Sequence, residues 1–206
     1  MLAPRILAVV LCTAFLLPVA GGCTEAPQRY EMTYLSLFDT VVTIVLYAEG
    51  ETEAQEAFRA VYDDLARYDA LFDIYEEHEG TANLKTVNDN AGKAPVAVEP
   101  ELLSLLLFGK EVYALTDGRV NIAFGSVLTL WHDARTAGIA DPDSAALPER
   151  AALEQAAAHT DIEAVVLDED AGTVYLADPE LRLDVGAIGK GFAAQLACDN
   201  ARERGV

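Results

Sequence analysis

The amino-acid sequence predicts a mixed α/β (α+β) fold in which mixed sheets are flanked by helices. A run rich in β-branched residues, 38–47, precedes a long helical pattern with apolar residues at spacings of three and four from Ala54 to Leu71. Further along, two short apolar stretches, 164–168 and 173–177, enclose a glycine-containing turn and predict a hairpin. Strands that are joined partly by hairpins and partly by helices are typical of layered folds of this class.

The other elements follow from turn and cap signals. Residues 74–95 are polar and predict a loop with room for one helical turn, and residues 138–148 predict another loop. Helices are expected at 100–116, 148–159 and 190–204, and a short strand at 181–185 followed by a turn at 186–189.

The N-terminus indicates export. Arg5 is the only charge before an apolar run, 6–19, that is too short to cross a bilayer comfortably. Small residues then lead directly into Cys23, which is typical of a bacterial lipoprotein signal peptide at residues 1–22 with lipidation of the Cys23 thiol. The alternative is an ordinary signal peptide with a coincidental cysteine. Residues 23–33 are expected to form a polar tether, and residues 34–206 the folded domain.

Charge and cysteine content exclude several classes of protein. The chain has 34 acidic residues against 14 Lys and Arg, so its formal net charge is −20. Such a surface repels nucleic acid and anionic lipid headgroups, which makes a covalent anchor more necessary. With Cys23 lipidated and one cysteine inside the signal, only Cys198 remains as a free thiol, so a disulfide framework is excluded. Three widely spaced histidines give little support for a zinc site.

A glycine-rich turn is the strongest local feature. Gly186, Gly189 and Gly191 lie between the strand expected at 181–185 and the last helix, with Lys190 among them. We expect free backbone N–H groups, the positive end of the helix dipole and a lysine that together suit a phosphate. The spacing matches neither a Walker P-loop nor a dinucleotide fingerprint. A tight strand-to-helix turn without a ligand is an equally good interpretation of this feature alone.

Two further segments contain candidate site residues. Arg119 and Asn121 are polar residues in an apolar loop, 116–125, after a helix stop, although a helix cap with a core-bound segment explains them equally well. Tyr75 follows the end of the first long helix, where it could equally be a core aromatic residue.

In this order and spacing, the segments resemble the FAD:protein FMN transferases, the ApbE-like family, over nearly all of residues 34–206. The counterparts of the family's motifs are Phe38-Asp39-Thr40, Tyr75, Asn88 with Gly92-Lys93, Thr116–Asn121 with Leu130-Trp131, and Asp184–Ala193. The last of these is the most specific, and the ordered set is stronger than any single motif. The resemblance implies a flavin-transferase-like fold.

The resemblance also implies an activity, namely transfer of FMN from FAD to a threonine or serine hydroxyl of an acceptor flavoprotein, with Mg²⁺ as cofactor and release of AMP. It implies an acceptor in membrane electron transport and a location on the outer face of the cell membrane or the periplasmic side of a bacterial membrane. It places the Ala187 carbonyl among the Mg²⁺ ligands and assigns no catalytic residue. The residues that it implies for FAD contact are Phe38, Tyr75, Arg119, Val120, Asn121, Asp184 and Lys190.

The chain departs from the family pattern in three respects. Phe38 stands where the family usually has methionine, and Val120-Asn121 where it has Phe-Asp. The chain also ends at Val206, before the positions of the family's remaining metal ligands. We therefore expect the 206-residue chain, expressed alone, to be poorly folded or inactive. A lipid-anchored flavin-binding protein without transferase activity is the main alternative, and a solute-binding lipoprotein ranks below it.

Overall fold

The computed structural model describes residues 26–206. The expected signal peptide, Cys23 and the first residues of the expected tether lie outside the described residues. Within the described part of the chain, helices and antiparallel strands alternate as the sequence predicts, and the mixed α/β (α+β) class is confirmed.

Strands β1 (Gln28–Leu37) and β2 (Thr40–Ala48) form a two-stranded antiparallel hairpin. The tether prediction is wrong for residues 28–33, because their backbone pairs with residues 43–48 of β2. The strand predicted at 38–47 begins two residues later, since Phe38 and Asp39 form the hairpin turn. Both turn residues have positive φ angles, 54° and 50°, as a tight hairpin turn of two residues requires.

Helix α1 (Glu51–Phe72) confirms the long amphipathic pattern. Its apolar side packs against the hairpin and against the last helix, α6 (Gly189–Glu203). Two polar contacts fix α1 to α6: Asn200 Nδ2 donates to the Tyr68 hydroxyl at 2.8 Å, and the Arg204 guanidinium donates to both oxygens of Asp64 at 2.7 and 2.8 Å. The C-terminal end of α1 lies against the start of α6, where the ring centroids of Phe72 and Phe192 are 6.4 Å apart.

The second sheet has three antiparallel strands in the order β3-β5-β4, where β3 is Val96–Ala97, β4 is Val165–Asp168 and β5 is Thr173–Leu176. The predicted hairpin is confirmed as β4 and β5. Helix α3 (Pro100–Leu115) packs against this sheet and, like the pattern that predicted it, starts at a proline. Its Leu102, Leu105 and Leu106 have no exposed surface, and each such side chain contributes about 1.5–3 kcal/mol by burial.

The remaining helices are α2 (Leu84–Asp89), α4 (Gly125–Ala140) and α5 (Arg150–Ala156), with short 3-10 turns at Ile122–Phe124, Pro142–Ser144, Ala157–His159 and Ile162–Ala164. The single turn expected within 74–95 is α2. Helix α4 was not predicted, because only Gly125 and Val127 of its residues are buried and no apolar stripe marks it. Of the helices within residues 26–206, none has the length and apolar composition that a membrane crossing needs.

The prediction of a strand at 181–185 is wrong, although the segment is extended and alternates buried and half-buried residues. At Leu183, the centre of the segment, both backbone groups pair with a side chain instead of a neighbouring strand. Asn88 Oδ1 accepts from the Leu183 N–H at 2.7 Å, and Asn88 Nδ2 donates to the Leu183 carbonyl at 3.0 Å. The next N–H, from Asp184, donates to the carbonyl of Ile122 at 2.8 Å. We call residues 181–185 the Asp184 segment.

Candidate functional site

A cavity of about 980 Å³ lies where the hairpin turn, the end of α1, helix α4 and the start of α6 meet. Four residues that the resemblance implies for FAD contact lie on its wall: Phe38, Tyr75, Asp184 and Lys190. They come from three parts of the chain that are far apart in sequence. We call it the larger cavity; its full lining is Phe38, Asp39, Asp69, Phe72, Asp73, Ile74, Tyr75, Glu76, His132, Arg135, Asp184, Val185, Gly186, Gly189 and Lys190.

Tyr75 is held at the wall by the turn that ends α1. Asp73 Oδ1 accepts from the backbone N–H groups of Tyr75 at 2.7 Å and Glu76 at 3.2 Å, while Asp73 Oδ2 lies 2.9 Å from His78 Nε2. The Tyr75 ring stacks on the His132 imidazole, with ring centroids 4.8 Å apart and planes at 29°. Because the Tyr75 side chain is half exposed, it offers a flat aromatic surface to a ligand.

The turn at residues 184–189 differs from the expectation of free amides. Asp184 Oδ1 accepts from the Gly186 N–H at 2.8 Å, and the Val185 carbonyl accepts from the N–H groups of Ile188 at 2.9 Å and Gly189 at 2.7 Å. These three amides are therefore occupied within the turn. A phosphate in the larger cavity would have to rely on side chains and on the helix dipole more than the sequence predicts.

The segment 119–121 lies on neither of the cavities described here. Asn121 starts the 3-10 turn, since its Oδ1 accepts from the Ala123 N–H at 2.8 Å and its Nδ2 donates to the Thr160 carbonyl at 2.9 Å. The Val120 N–H donates to Thr116 Oγ1 at 3.1 Å, and the Arg119 side chain is exposed. The segment thus supports the Asp184 segment indirectly, through the adjoining Ile122 carbonyl.

Ala187 is exposed in the turn, next to Gly186 of the cavity wall. Magnesium prefers several oxygen donors in near-octahedral geometry. Within residues 26–206, no group of three or more His, Cys, Asp or Glu side chains is arranged to hold a metal ion. A single carbonyl does not complete such a site, so the described residues do not fit a Mg²⁺ ion by themselves.

Acidic groups predominate on the wall of the larger cavity. It has five carboxylates, from Asp39, Asp69, Asp73, Glu76 and Asp184, and two cationic side chains, from Arg135 and Lys190.

Three of the wall's groups have shifted pKa values. Burial raises the pKa of Asp69, and the neighbouring carboxylates add to the effect. Burial also raises the pKa of the Tyr75 hydroxyl, as does the charge of Asp184, while Arg135 opposes it. Burial disfavours the charge of Asp73, but hydrogen bonds from His78 and from two backbone amides outweigh it and hold the pKa of Asp73 below its usual value.

A smaller cavity of about 660 Å³ adjoins the larger one and shares Ile74, Tyr75, His132 and Asp184 with it. Its other polar lining includes Asn88, Arg182 and His159. The two cavities therefore meet at these four residues.

His132 and Arg135 are site residues that the sequence did not reveal. They lie three positions apart on α4, the helix that was not predicted, and both line the larger cavity. The spacing of His132 and Arg135 is a signal for a shared site, since residues i and i+3 share one face of a helix. It could be used only after the segment was known to be helical.

Most of the chain is similar to proteins of one known family. The model of the ApbE family matches residues 38–206. The FAD:protein FMN transferase of Klebsiella pneumoniae (strain 342) is 29% identical over 170 residues, which cover 82% of this chain and 49% of that protein. The FAD:protein FMN transferase of Treponema pallidum (strain Nichols) is 35% identical over 181 residues, which cover 84% of this chain and 47% of that protein. The chain thus spans about half the length of the curated relatives it matches.

Solved structures give the same result. An ApbE protein from Thermotoga maritima superimposes with a TM-score of 0.70 at 26% identity, covering 84% of this chain and 52% of that one. The flavin transferase ApbE from Vibrio cholerae superimposes with a TM-score of 0.71 at 20% identity, covering 87% and 55%, and at that identity the likeness is one of fold. Because the family model matches well over half of its residues, this chain belongs to the ApbE family.

Proposed function

We propose that the protein transfers FMN from FAD to a threonine or serine hydroxyl of an acceptor protein. The observation that carries the proposal is the convergence of Phe38, Tyr75, Asp184 and Lys190 on one cavity of about 980 Å³. That volume lies in the upper part of the usual range for cofactor sites, roughly 300–1,000 Å³. The names of the relatives, FAD:protein FMN transferase, support the same activity.

In the proposed reaction the hydroxyl oxygen of the acceptor attacks the phosphorus atom of the FMN half of FAD. A new P–O ester bond forms while the bridging P–O bond to the AMP half breaks, and the bridging oxygen leaves with its electron pair as AMP. The hydroxyl proton passes to a general base, for which the described residues give no assignment. Catalysis of this kind depends on orienting the reacting groups and stabilising charge on the phosphoryl oxygens.

The residues of the cavity suit parts of this task. Tyr75 offers an aromatic face for a flat ring of the cofactor, and its stack on His132 fixes the ring plane. Lys190 supplies a point charge near the start of α6, where a phosphate is favoured by the helix dipole. Asp184 presents a carboxylate whose Oδ1 is anchored by the Gly186 N–H, which suits a hydrogen bond to the cofactor.

The transferase proposal is tested with the full-length protein, FAD and membranes of the source organism from a strain that lacks the gene. Covalently bound flavin is detected as fluorescence of denatured proteins on a gel, and AMP by chromatography. We expect a fluorescent band and AMP, and a large loss of both with Lys190→Gln. Lys110→Gln is the matched control, because the Lys110 side chain lies on neither cavity.

If FAD binds but neither covalent flavin nor AMP is formed, the transferase proposal is wrong. The protein would then be a flavin-binding protein without transferase activity. The observation that favours this second function is that the described residues contain no cluster of three or more His, Cys, Asp or Glu side chains that could hold a metal ion.

We also propose that the mature protein is anchored by a lipid on Cys23 and faces the outside of the cell membrane or the periplasmic side of a bacterial membrane. The signal-like sequence before Cys23 supports this, and an acceptor in membrane electron transport would share that location. Labelling cells with a radioactive fatty acid tests the anchor. We expect label in the unaltered protein and none in Cys23→Ser; equal labelling of both would contradict it.

A further inference from the structure

The two cationic side chains of the larger cavity lack the carboxylate partners that seven of the other eleven Lys and Arg side chains within residues 26–206 have. Within residues 26–206, neither Arg135 nor Lys190 has a carboxylate oxygen within 4.0 Å, whereas Arg67 and Arg204, for example, are bound by nearby carboxylates. In a chain with 34 acidic and 14 basic residues, carboxylate partners are plentiful. Two cations without such partners on one cavity wall favour an anionic ligand there.

The surroundings make side-chain cations necessary for such a ligand. Five carboxylates share the wall and repel an anion. Backbone donors compensate little, because the N–H groups of Gly186, Ile188 and Gly189 already donate to oxygens of the same turn. Charge neutralisation of a pyrophosphate in this cavity therefore depends on Lys190 and Arg135.

The guanidinium of Arg135 is oriented by its neighbour on α4. Arg135 Nη2 donates to His132 Nδ1 at 3.1 Å, and the Tyr75 hydroxyl lies farther from the same nitrogen, at 3.5 Å. Because arginine has donors only, His132 Nδ1 is the acceptor in this contact. The guanidinium has five N–H donors in a planar fork, and this contact leaves most of them for a ligand.

We propose that Arg135 binds the pyrophosphate of FAD together with Lys190, and that His132 is a positioning residue that holds the Arg135 guanidinium. This inference rests on the proposed function and names the second cation of its cofactor site. Because the two cations interact with the phosphates, a flavin without phosphate gains no affinity from them.

The test uses the full-length protein and measures dissociation constants for FAD, ADP and riboflavin by calorimetry. We expect Arg135→Gln to raise the dissociation constants of FAD and ADP by about 10- to 100-fold, which corresponds to the loss of a charged hydrogen bond. The dissociation constant of riboflavin should rise by less than about twofold. Arg135→Lys should recover part of the affinity, since it restores charge but not the fork. Arg59→Gln is the control, because Arg59 is an exposed residue of α1 outside both cavities.

The positioning role of His132 requires a separate readout. His132→Phe keeps an aromatic ring against Tyr75 but removes the acceptor, so FAD should bind more weakly while riboflavin binds as before. In an Arg135→Gln background the same change should have no further effect on FAD, because the group that His132 positions is already absent. Additive losses in this double-mutant cycle would overturn the positioning role.

Three results distinguish the failure of this inference from that of the proposed function. If the unaltered protein binds FAD but Arg135→Gln weakens the binding of riboflavin as much as that of FAD, Arg135 only supports the Tyr75 stack and the inference is wrong. The inference is equally wrong if Arg135→Gln matches Arg59→Gln for every ligand. If the unaltered protein does not bind FAD at all, the proposed function itself fails and the inference with it.

Discussion

Replacing Asn88 with alanine would remove both hydrogen bonds that hold the centre of the Asp184 segment. The Asn88 side chain accepts from the Leu183 N–H at 2.7 Å and donates to the Leu183 carbonyl at 3.0 Å. Asn88 is 7% exposed and Leu183 1% exposed, so water has little access to the two backbone groups that the change would leave without partners. A buried donor and a buried acceptor would be orphaned together.

The expected cost follows from this count. An unsatisfied buried polar group costs about 1–3 kcal/mol, so two such groups cost roughly 2–4 kcal/mol after partial relaxation. That is a large share of a typical free energy of unfolding of about 5–15 kcal/mol. Asn90→Ala is the matched control on the same stretch: Asn90 Nδ2 donates once, to the Thr86 carbonyl at 2.8 Å, so its loss should cost about 1 kcal/mol.

Urea unfolding of the full-length protein measures the difference. With a slope of about 2 kcal/mol/M, Asn88→Ala should lower the midpoint by about 1–2 M and Asn90→Ala by about 0.5 M. Affinity for FAD should fall with Asn88→Ala, because Asp184 directly follows the residue that Asn88 holds. Equal midpoints and equal FAD affinities for the two variants would refute the view that Asn88 substitutes for a neighbouring strand.

Two further predictions concern the same region. In Gly125→Ala the new Cβ would lie 2.5 Å from the Arg182 carbonyl oxygen, so we expect thermal unfolding to show a loss of about 1–3 kcal/mol in stability. Gly191→Ala is the control, because it has open space around it and should be neutral or stabilising. Similar stabilities of the two variants would contradict the packing argument. The hydrogen bond to Asp178 raises the pKa of His159, so its stabilising effect should be complete below about pH 6.5 and lost as the pH rises through the raised value. Unfolding of the wild type and of His159→Asn should therefore differ most at low pH, and a difference that grew towards pH 9 would have the wrong sign.

Local sequence patterns predicted the elements whose stabilisation is local. The stripe from Ala54 to Leu71, the proline-started helix at 100 and the β4–β5 hairpin all appear in the structure close to their expected bounds. Elements determined by partners elsewhere in the chain were not predicted. Residues 28–33 look like a tether until β2 pairs with them, and residues 181–185 alternate like a strand although a side chain from α2 takes the place of the neighbouring strand.

The same division applies to the site. The family resemblance implied Phe38, Tyr75, Asp184 and Lys190, which the structure brings to one cavity. It also implied Arg119, Val120 and Asn121, which lie on neither cavity. His132 and Arg135 could not be found that way, because α4 buries only two of its residues and gives no helical pattern. The occupied amides of the 184–189 turn were also beyond prediction, since the glycine spacing does not say which oxygens lie within reach.

Phe38 and Asp39 form the hairpin turn and also line the larger cavity. Left-handed backbone at both turn positions suits Asn-Gly, and a large aromatic residue adopts it at a cost of about 1–2 kcal/mol. Phe38 occupies such a position and at the same time forms part of the cavity wall. A replacement of Phe38-Asp39 that optimises turn propensity alone would therefore stabilise the hairpin and change the cavity wall. The turn thus combines a strained backbone with a place in the cavity wall, so a change that relieves the strain also changes the wall.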